Sequence, residues 1–509
     1  MAIEFGQTLL VVGCGTVGLC TIQLLEREFK LKKLLVLDRR PAPSGLPENA
    51  EYVQEELTKG NYREVLARYL VAGDICCNLS VLDSTELLCW CLEHDIMYLD
   101  TSVEEWASHD EVTLHQRTDK AAMALSSHHQ RAREQLQALY ARHQQKEKWP
   151  SCVCYHGMNP GLVNQFMKQG LHDIAATLLK RETCKNREAI QEHFESRDWP
   201  RLAQALGVKV IHISERDTQA TTYCRKPMEF VSTWSVDGFL SELQWYSEFA
   251  LGTHERRIPR EAHVFEGPEE VSISLGVKAA NTRCMSWVPS GRMCGFVSPH
   301  DEALTIGKFL EVRDSGQLTY RPTVLFSYLP CDLSVASIHD LAMNDYAEMT
   351  QVFINDDIQM GKDEVGALLL GHELGAWWVG SCLDIQGARE IVAGHNATTV
   401  QVAGGVLSAL AWMMKHPWEG RKLPEEICHE EVLQVAKKYI EPLLSTRSSW
   451  TPLKDRSALG LFDYLDRFGD LGDGPDAACF PKEDDLWQLQ TMLIQPQGSP
   501  WVPSPIFNR

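Results

Sequence analysis

The sequence predicts an α/β protein in which a doubly wound parallel sheet is followed by an α+β domain with a mostly antiparallel sheet. Two observations support this fold class. Apolar strand-like runs alternate with helical patterns up to about residue 158, which is typical of parallel βαβ units. Beyond residue 180 the alternation gives way to successive strand-like stretches with many tryptophans. We therefore expect a first domain over residues 1–158 and a second over residues 159–509.

The first strand, turn and helix carry the pattern of a dinucleotide-binding site. Residues 8–12 read as a buried strand and residues 17–29 as a helix. Between them Gly13 makes the tight bend, Gly15 lets a pyrophosphate approach the backbone, and Gly18 lets the helix pack closely on the strand. The free backbone N–H groups at the start of such a helix favour phosphate.

The next strand indicates which dinucleotide this is. Residues 34–37 form a second apolar strand that ends at Asp38, twenty positions after Gly18. A carboxylate there accepts hydrogen bonds from an adenosine ribose and repels a 2′-phosphate. Arg39 and Arg40 follow, and arginines at such positions can hold a 2′-phosphate, but the charge of Asp38 favours NAD. Because strand, turn, helix, strand and acid occur in the required order, we prefer an NAD-binding Rossmann domain to an ordinary βαβ turn.

The βα alternation continues to residue 102 and resumes at residue 152. GDICCNLSV (73–81) and IMYLDTS (96–102) are strand patterns, with a helix over 85–93 between them. A strand at 152–155 and the turn HGMNPGLV lead into a helix over 161–179. Polar residues at the carboxyl ends of such strands lie where doubly wound sheets bind ligands. The predicted cofactor contacts are Gly13, Gly15, Thr16, Val17, Gly18, Asp38, Asn78, Leu79, Ser80, Asp100, Thr101 and Asn159.

The remaining stretches are assigned by their composition and by the spacing of their apolar residues. Residues 110–149 are polar with sparse apolar spacing and read as one long solvated helix or two. Residues 397–415 form an apolar helix that we expect to pack back on the nucleotide domain. Residues 445–509, rich in Pro, Gly and Asp, read as a loose tail with Trp450 and Trp487. The predicted strands of the second domain lie within 208–217, 269–279, 286–297, 322–329 and 365–380.

Charge and cysteine usage exclude several classes of protein. A net charge of −20 disfavours partners such as nucleic acid and anionic membranes, and it suits either simple solubility or a cationic substrate, which composition alone does not separate. The longest apolar run, 403–414, is too short to cross a bilayer. The 16 cysteines are scattered, and the Cys152-x-Cys154 pair lacks a second pair at ligand spacing, so we expect reduced thiols, no metal and a cytoplasmic location.

Several segments resemble the bacterial-type homospermidine synthases. They are VEEW (103–106), GMNPGLV (157–163), ISERDTQ (213–219), TWSVDGFLSE (233–242), ALGTHERRIP (250–259) and PHDEA (299–303). The likeness extends from about residue 8 to the WTPL and LWQLQ segments and is weakest at the polar stretch 120–149 and in the tail. It implies a homodimeric enzyme that joins two putrescines, or putrescine and spermidine, into homospermidine and releases ammonia or diaminopropane. Hydride leaves and returns within one turnover, so NAD is unchanged overall.

The resemblance also implies site residues. By position, Trp234 contacts the iminium group, Glu242 binds the inner amine, and Glu215 and Asn159 line the same cleft. Chemistry agrees with this, since a diamine dication and its iminium need carboxylates and an aromatic face, and a desolvated cation over indole gains about 0.5–2 kcal/mol. Weaker matches suggest further substrate contacts at Glu104, His300 and Glu302.

One position departs from the family pattern. Relatives carry an aspartate directly after the Asn-Leu-Ser-Val run, whereas this sequence has Leu82 there and Asp83 one place later. Asp83 reaches the cleft only if the strand end shifts its register. We keep Asp83 as a predicted substrate contact on that condition.

Two other functions stay open at this point. A saccharopine-reductase-like or carboxyspermidine-type dehydrogenase has the same architecture but releases NADH and needs arginines for substrate carboxylates. Arg216, Arg225 and Arg256 could supply them, although the predicted cleft is mostly acidic. A non-catalytic NAD sensor is the other alternative, but a sensor has no reason to keep amine-binding residues.

The glycine turn gives the first testable prediction. In Gly15→Ala a methyl group occupies the space where the pyrophosphate meets the backbone, so we expect NAD affinity to fall sharply. Calorimetry with NAD and NADP measures this on the parent and the variant. Undiminished NAD affinity in the variant, or tighter binding of NADP than of NAD by the parent, would contradict the assignment.

Overall fold

The computed structural model describes residues 2–106, 124–265, 272–454, 486–494 and 501–506. The polar stretch 110–149 is therefore described from residue 124 onward, where it forms one helix to Arg142. The elements of the first domain are β1 (Ile3–Val12), α1 (Thr16–Glu28), β2 (Phe29–Asp38), β3 (Ala50–Gln54), α2 (Tyr62–Tyr69), β4 (Ile75–Asn78), α3 (Ser84–Glu93), β5 (Met97–Asp100), α4 (Ala124–Arg142) and β6 (Cys152–Val153).

The rest of the chain contributes ten further helices and twenty strands among the described residues. The helices are α5 (Leu162–Leu179), α6 (Arg187–Ser196), α7 (Trp199–Leu206), α8 (Val236–Gln244), α9 (Asp301–Phe309), α10 (Asp332–Met343), α11 (Ile385–Ile391), α12 (Ala397–Lys415), α13 (His429–Ile440) and α14 (Leu489–Met492). The strands are β7 (Val210–Asp217), β8 (Ala220–Thr221), β9 (Glu229–Ser232), β10 (Tyr246–Ala250), β11 (Arg257–Pro259), β12 (His263–Val264), β13 (Ser272–Lys278), β14 (Arg283–Val288), β15 (Gly291–Ser298), β16 (Val312–Asp314), β17 (Gln317–Tyr320), β18 (Thr323–Leu329), β19 (Thr350–Phe353), β20 (Ile358–Met360), β21 (Lys362–His372), β22 (Gly375–Asp384), β23 (Arg421–Lys422), β24 (Leu443–Ser448), β25 (Leu493–Ile494) and β26 (Trp501–Pro503).

The first sheet is the parallel sheet that the sequence predicts. Its seven strands run in the order β23-β6-β5-β4-β1-β2-β3, and every described pair is parallel. Six of them follow the Rossmann order 3-2-1-4-5-6, in which the chain reverses direction across the sheet beside β1. The seventh, β23, comes from far along the chain, beyond the predicted boundary at 158/159. That boundary stays a prediction.

The second sheet is mixed and mostly antiparallel, as predicted. Its main path is β12-β13-β10-β18-β7-β21-β22-β24, with β14, β15 and β25 attached beside β18. Among its described pairs only β18 with β7 is parallel. The stretches 286–297 and 365–380, which we predict as single strands, are each the turn and flanking strands of a hairpin. Each turn is marked in the sequence, by Pro289-Ser290-Gly291 in the first hairpin and by Gly371 to Gly375 in the second, so the hairpins could have been predicted from these turn residues.

Helix α12 has the bounds that the sequence predicts and lies in the interior of the molecule. It packs against α1 of the nucleotide domain and against α13, β21 and β22 of the second domain. Among the described residues it is the one helix with the length and mean hydropathy, 1.3, to cross a membrane, but 83% of that apolar window is buried in the fold. Such burial is typical of the core helix of a globular protein.

The prediction of a loose tail is wrong for the parts of residues 445–509 that the structure describes. Strand β24 pairs with β22, β25 pairs with β14, and β26 pairs with β11. Trp450 and Trp487 are both buried. These strands are two to six residues long, so existing sheet edges specify them rather than any pattern of their own. The rest of the predicted tail lies outside the described residues.

A close contact between α12 and the loop after β6 gives a stability prediction. A Cβ on Gly405 would overlap the carbonyl oxygen of Gly157, whereas a Cβ on Gly6 of β1 would meet no atom within 4 Å. We expect Gly405→Ala to destabilise the protein by about 1–3 kcal/mol or more, through overpacking against backbone. Gly6→Ala is the matched control and should melt with the parent in calorimetry. Equal melting temperatures for the two variants would contradict the packing assignment.

Candidate active site

The glycine turn between β1 and α1 has the geometry that a dinucleotide needs. Gly13 has φ +94°, and a Cβ there would lie 2.6 Å from the carbonyl oxygen of Leu79. A Cβ on Gly18 would overlap the carbonyl oxygen of Gly13. Gly15 caps α1 without a side-chain hydrogen bond, and a Cβ there would face open space, with Arg40 Nη2 nearest at 3.8 Å. Thr16 and Val17 form the first turn of α1. The helix start is thus open to phosphate.

Asp38 ends β2 beside this turn, but its oxygens have protein partners. Oδ2 accepts hydrogen bonds from the backbone N–H of Cys14 at 2.7 Å and from Arg40 Nη2 at 2.9 Å. Oδ1 accepts from the backbone N–H and from Nε of Arg40 at 2.8 and 3.0 Å. Burial alone would raise the pKa of Asp38, yet the hydrogen bonds with Arg40 outweigh it and hold the pKa at about 2. A ribose that bonds to Asp38 must share it with Arg40.

The predicted contacts at the ends of β4 and β5 brace the backbone in this structure. Asn78 Oδ1 accepts hydrogen bonds from Ser80 N and Oγ at 3.2 and 2.6 Å, and the Leu79 N–H donates to Val12 O at 2.7 Å. Asp100 Oδ1 accepts from the Tyr155 N–H at 2.6 Å. Burial raises the pKa of Asp100 to about 7. These residues shape the edge of the sheet where a nicotinamide would lie.

The loop after β6 joins the two sheets. A Cβ on Gly157 would lie 3.5 Å from Thr101 Cγ2, so the loop packs on the end of β5. Two residues later, Asn159 Nδ2 donates a hydrogen bond to Glu215 Oε2 of β7 at 2.8 Å. Burial and the charges of Asp363 and Asp217 raise the pKa of Glu215 well above its ordinary value. The predicted pair Asn159 and Glu215 is therefore brought together.

Neighbouring strands of the second sheet connect Glu215 with Glu242. Glu215 pairs with Tyr328 of β18, and Phe326, two residues before Tyr328, pairs with Ser298 of β15. Side chains two residues apart lie on one face of a strand, so these groups share one face of the sheet. Ser298 Oγ donates a hydrogen bond to Glu242 Oε2 of α8 at 3.1 Å. The two glutamates that the sequence predicts as site residues thus face one region.

His300 connects two of the predicted carboxylates. Its Nε2 lies 3.5 Å from Glu242 Oε1 and its Nδ1 lies 2.5 Å from Glu302 Oε2. Burial would lower the pKa of His300, but the charges of Glu302 and Glu242 outweigh it and raise the pKa well above the ordinary value. Burial raises the pKa of Glu242, and His300 partly offsets that rise. Glu302 is fully buried, and its Oε1 has no partner within the described part of the chain.

Glu104 belongs to the same acidic group. Its Oε1 accepts a hydrogen bond from Ser102 Oγ at 3.1 Å. Burial raises the pKa of Glu104 to about 7, and the charges of Asp301 and Glu242 add to the rise. Asp301 in turn lies 2.6 Å from His129 Nε2 of α4. The polar stretch around residue 129, which the sequence suggests is merely solvated, therefore supplies a histidine to this group.

Trp234 precedes α8 and is half-buried. Its ring packs on Phe239 with centroids 5.0 Å apart, and Phe239 packs on Tyr328 at 5.4 Å. Tyr328 stacks on Phe326 at 5.6 Å, and Phe326 packs against His300 at 4.7 Å. A continuous aromatic row thus runs from Trp234 to the carboxylates. The sequence signals Trp234 but not the aromatic residues between it and His300, because strand register brings them together.

Asp83 is not where a substrate contact would be. It caps α3, with Oδ1 accepting from the Glu86 N–H at 2.9 Å. Its Oδ2 accepts from the Trp106 N–H at 3.3 Å and from Arg131 Nη1 and Nη2, both at 3.3 Å. The side chain is fully buried, and both oxygens are occupied. We correct its assignment to helix capping, because Asp83 is the N-cap of α3 and lies beyond the end of β4 at Asn78.

Metal chemistry finds no support in the described residues. They contain no group of three or more His, Cys, Asp or Glu side chains placed to hold an ion. The 15 cysteines in the described ranges are free thiols, and Cys152 and Cys154 are buried at β6.

Comparisons with known proteins agree with this architecture. The saccharopine dehydrogenase NADP binding domain family matches residues 9–141, and the saccharopine dehydrogenase C-terminal domain family matches residues 157–446. A solved structure, the homospermidine synthase of Legionella pneumophila in complex with NAD, is 29% identical with a TM-score of 0.80 and covers 97% of this chain and 99% of its own.

Two curated relatives match along almost the whole sequence. The homospermidine synthase of Blastochloris viridis is 35% identical over 502 residues, which is 96% of this chain and 97% of the relative. The homospermidine synthase of Mesorhizobium japonicum is 33% identical over 506 residues, which is 97% of each. At this identity and coverage, and with a matching fold, the chain belongs to the homospermidine synthase family.

Proposed function

We propose that the protein is an NAD-dependent homospermidine synthase. It joins two putrescines, or putrescine and spermidine, into homospermidine and releases ammonia or diaminopropane. The observation that carries the proposal is the group of buried carboxylates on one side of the second sheet: Glu242 and Glu302 flank His300, Glu215 lies on the same sheet face, and the aromatic row joins them to Trp234. A site with several carboxylates and one aromatic face suits a diammonium substrate whose positive charge moves along the chain during the reaction.

The residues of the first domain fit NAD. The uncapped start of α1 and the open space at Gly15 leave room for a pyrophosphate. Asp38 would accept hydrogen bonds from the adenosine ribose, once Arg40 shares it. When bound, NAD takes a hydride from the carbon beside an amine nitrogen and later returns it, so the reaction has no net redox change.

The remaining roles fall to side chains of this chain. Glu242 binds the ammonium group nearest the reacting carbon, and the π-face of Trp234 stabilises the cationic imine. Glu215, held by Asn159, accepts the proton that the amine loses before it reacts, and the burial and neighbouring carboxyl groups that raise its pKa make its carboxylate a stronger base. His300 carries a positive charge between Glu242 and Glu302 and so keeps two buried carboxylates compatible when no amine is present.

The dehydrogenase alternative has less support in the cleft. It needs arginines for substrate carboxylates, yet Arg225 Nη1 lies 2.7 Å from Asp340 and also bonds to the backbone of Glu229. Arg216 donates to Ser290 at 3.1 Å on an exposed part of β7.

We also propose that the protein is a cytoplasmic homodimer. We propose that it has no nucleic-acid or membrane partners, in keeping with its net charge of −20.

The product assay tests the proposed activity directly. On incubation with putrescine and NAD, ammonia and homospermidine should rise together while the absorbance of free NADH stays flat. Mass spectrometry identifies the amine product and an enzymatic assay measures ammonia. Release of NADH in proportion to turnover would support the dehydrogenase instead, and NAD binding with no reaction of any tested amine would support the sensor.

A substitution series at Trp234 tests the cation–π role. Phe keeps an aromatic face with a weaker quadrupole, whereas Leu and Ala remove it. We expect activity in the order Trp, Phe, then Leu and Ala together, and losing a contact of about 2 kcal/mol lowers kcat by roughly thirty-fold. Steady-state kinetics and melting temperatures are measured on the same proteins.

Trp377 provides the control for this series. It is another half-buried tryptophan, on β22, and its Nε1 donates to Ser445 Oγ at 2.9 Å. Trp377→Phe and Trp377→Leu should alter melting temperature without a selective loss of kcat. A Trp234→Leu protein as active as Trp234→Phe would rule out the cation–π role, and a change in stability alone would make Trp234 a packing residue like Trp377.

A further inference from the structure

Behind the cleft lies a buried carboxyl cluster formed by Glu215, Asp217 and Asp363. Glu215 and Asp217 are two residues apart on β7, so they lie on one face, and Asp363 of β21 pairs directly with Asp217. Their exposed fractions are 4%, 3% and 1%. Like charges this close inside a protein disfavour one another's ionisation. The cluster is therefore an electrostatic unit, and only Glu215 contacts Asn159.

Asp217 also fixes the chain just before Trp234. Its Oδ2 accepts a hydrogen bond from Thr233 Oγ1 at 2.6 Å, and its Oδ1 accepts from the N–H and Nε2 of Gln219 at 2.8 and 3.1 Å. From the other side, Asn396 Nδ2 donates to the backbone oxygen of Thr233 at 2.7 Å. Both the side chain and the carbonyl of Thr233 are thereby held, and Trp234 is the next residue.

Several groups set the charge that Glu215 experiences. Asp363 and Asp217 disfavour its ionised form, while the Asn159 hydrogen bond and the positive charge of His300 favour it. Tyr328 stands beside it on β18. Burial raises the pKa of Asp217 to about 6, with the hydroxyl of Thr233 and the amide of Gln219 opposing the rise. Asp363 Oδ2 accepts from Thr398 Oγ1 of α12 at 2.7 Å, and burial raises its pKa well above the usual range.

We propose that Asp217 is a positioning residue for the reaction: through Thr233 it fixes Trp234 over the substrate, and its charge strengthens Glu215 as a proton acceptor. This rests on the proposed function. One side chain thus acts on both the aromatic contact and the proton acceptor. Neither effect requires Asp217 to touch the substrate.

Two isosteric substitutions separate the two effects. Asp217→Asn removes the negative charge, so Glu215 loses its proton more easily, and the limb of the kcat–pH profile that reports Glu215 should move to lower pH by about one unit. Thr233→Val keeps the carboxyl group of Asp217 but removes the hydroxyl that links it to the Trp234 segment, so kcat should fall about ten-fold or more. Thr233→Ser restores the hydroxyl and should recover most of kcat.

The measurement is kcat and KM for putrescine against pH, with the limb assigned by its loss in Glu215→Gln. Asp314→Asn is the control, because Asp314 lies on the exposed β16–β17 hairpin and pairs only with surface groups such as Arg201. It should leave kcat and the limb as in the parent. Melting temperature and NAD affinity confirm that each variant is folded.

The outcomes are distinct. An unmoved limb in folded Asp217→Asn, or full activity in Thr233→Val, overturns the proposal. If Asp217→Asn does not fold, Asp363→Asn tests the same charge effect and should move the limb in the same direction, whereas an unmoved limb there counts against it. If the parent itself makes no homospermidine, the proposed function fails instead.

Discussion

Acidic side chains are buried close together in the second domain, and the surrounding structure must supply a partner for each of them. Removing an ion from water costs several kcal/mol, so each carboxylate needs donors, a counter-charge or a proton. Glu215 has Asn159, Glu242 has Ser298 and His300, and Asp217 has Thr233 and Gln219. The donors come from different strands and helices, which ties the second sheet, α8 and the loop after β6 to one geometry. A cationic substrate is complementary to the negative charge that these partners leave unbalanced.

Much of the fold could be predicted because local patterns carry it. The glycine turn and Asp38 need fixed spacing, and α12 has the predicted bounds, 397–415, since a long apolar helix between a polar cap and a basic end is unambiguous. Strand β23 could not be predicted, because two residues carry no periodicity and its place depends on the edge that β6 offers. The hairpin turns at 289–290 and 373–374 are a different case, because Pro289, Ser290 and the glycines beside Glu373 do mark them in the sequence.

The candidate site also contains residues that the sequence signals and residues that it does not. Trp234, Glu242, Glu215 and His300 lie in segments with a recognisable order of residues, so resemblance could point to them. Their roles remain proposals that the kinetics must decide. Asp217 and Asp363 meet only through the register of β7 and β21, and His129 comes from a helix whose pattern looks like a solvated surface. Asp83 shows the opposite error, in which a residue predicted near a strand end is the N-cap of the following helix.

Helix α12 and strand β23 have a consequence for how this protein could be recombined with its relatives. Residues 397–422 complete the packing of the first domain although they are encoded after most of the second. A chimera that exchanges only the amino-terminal 158 residues would pack a foreign α1 and a foreign Gly157 loop against α12. At the contact between Gly157 and Gly405 there is no room for a single methyl group. The two halves are therefore interleaved modules, and a functional exchange must carry both separated segments together.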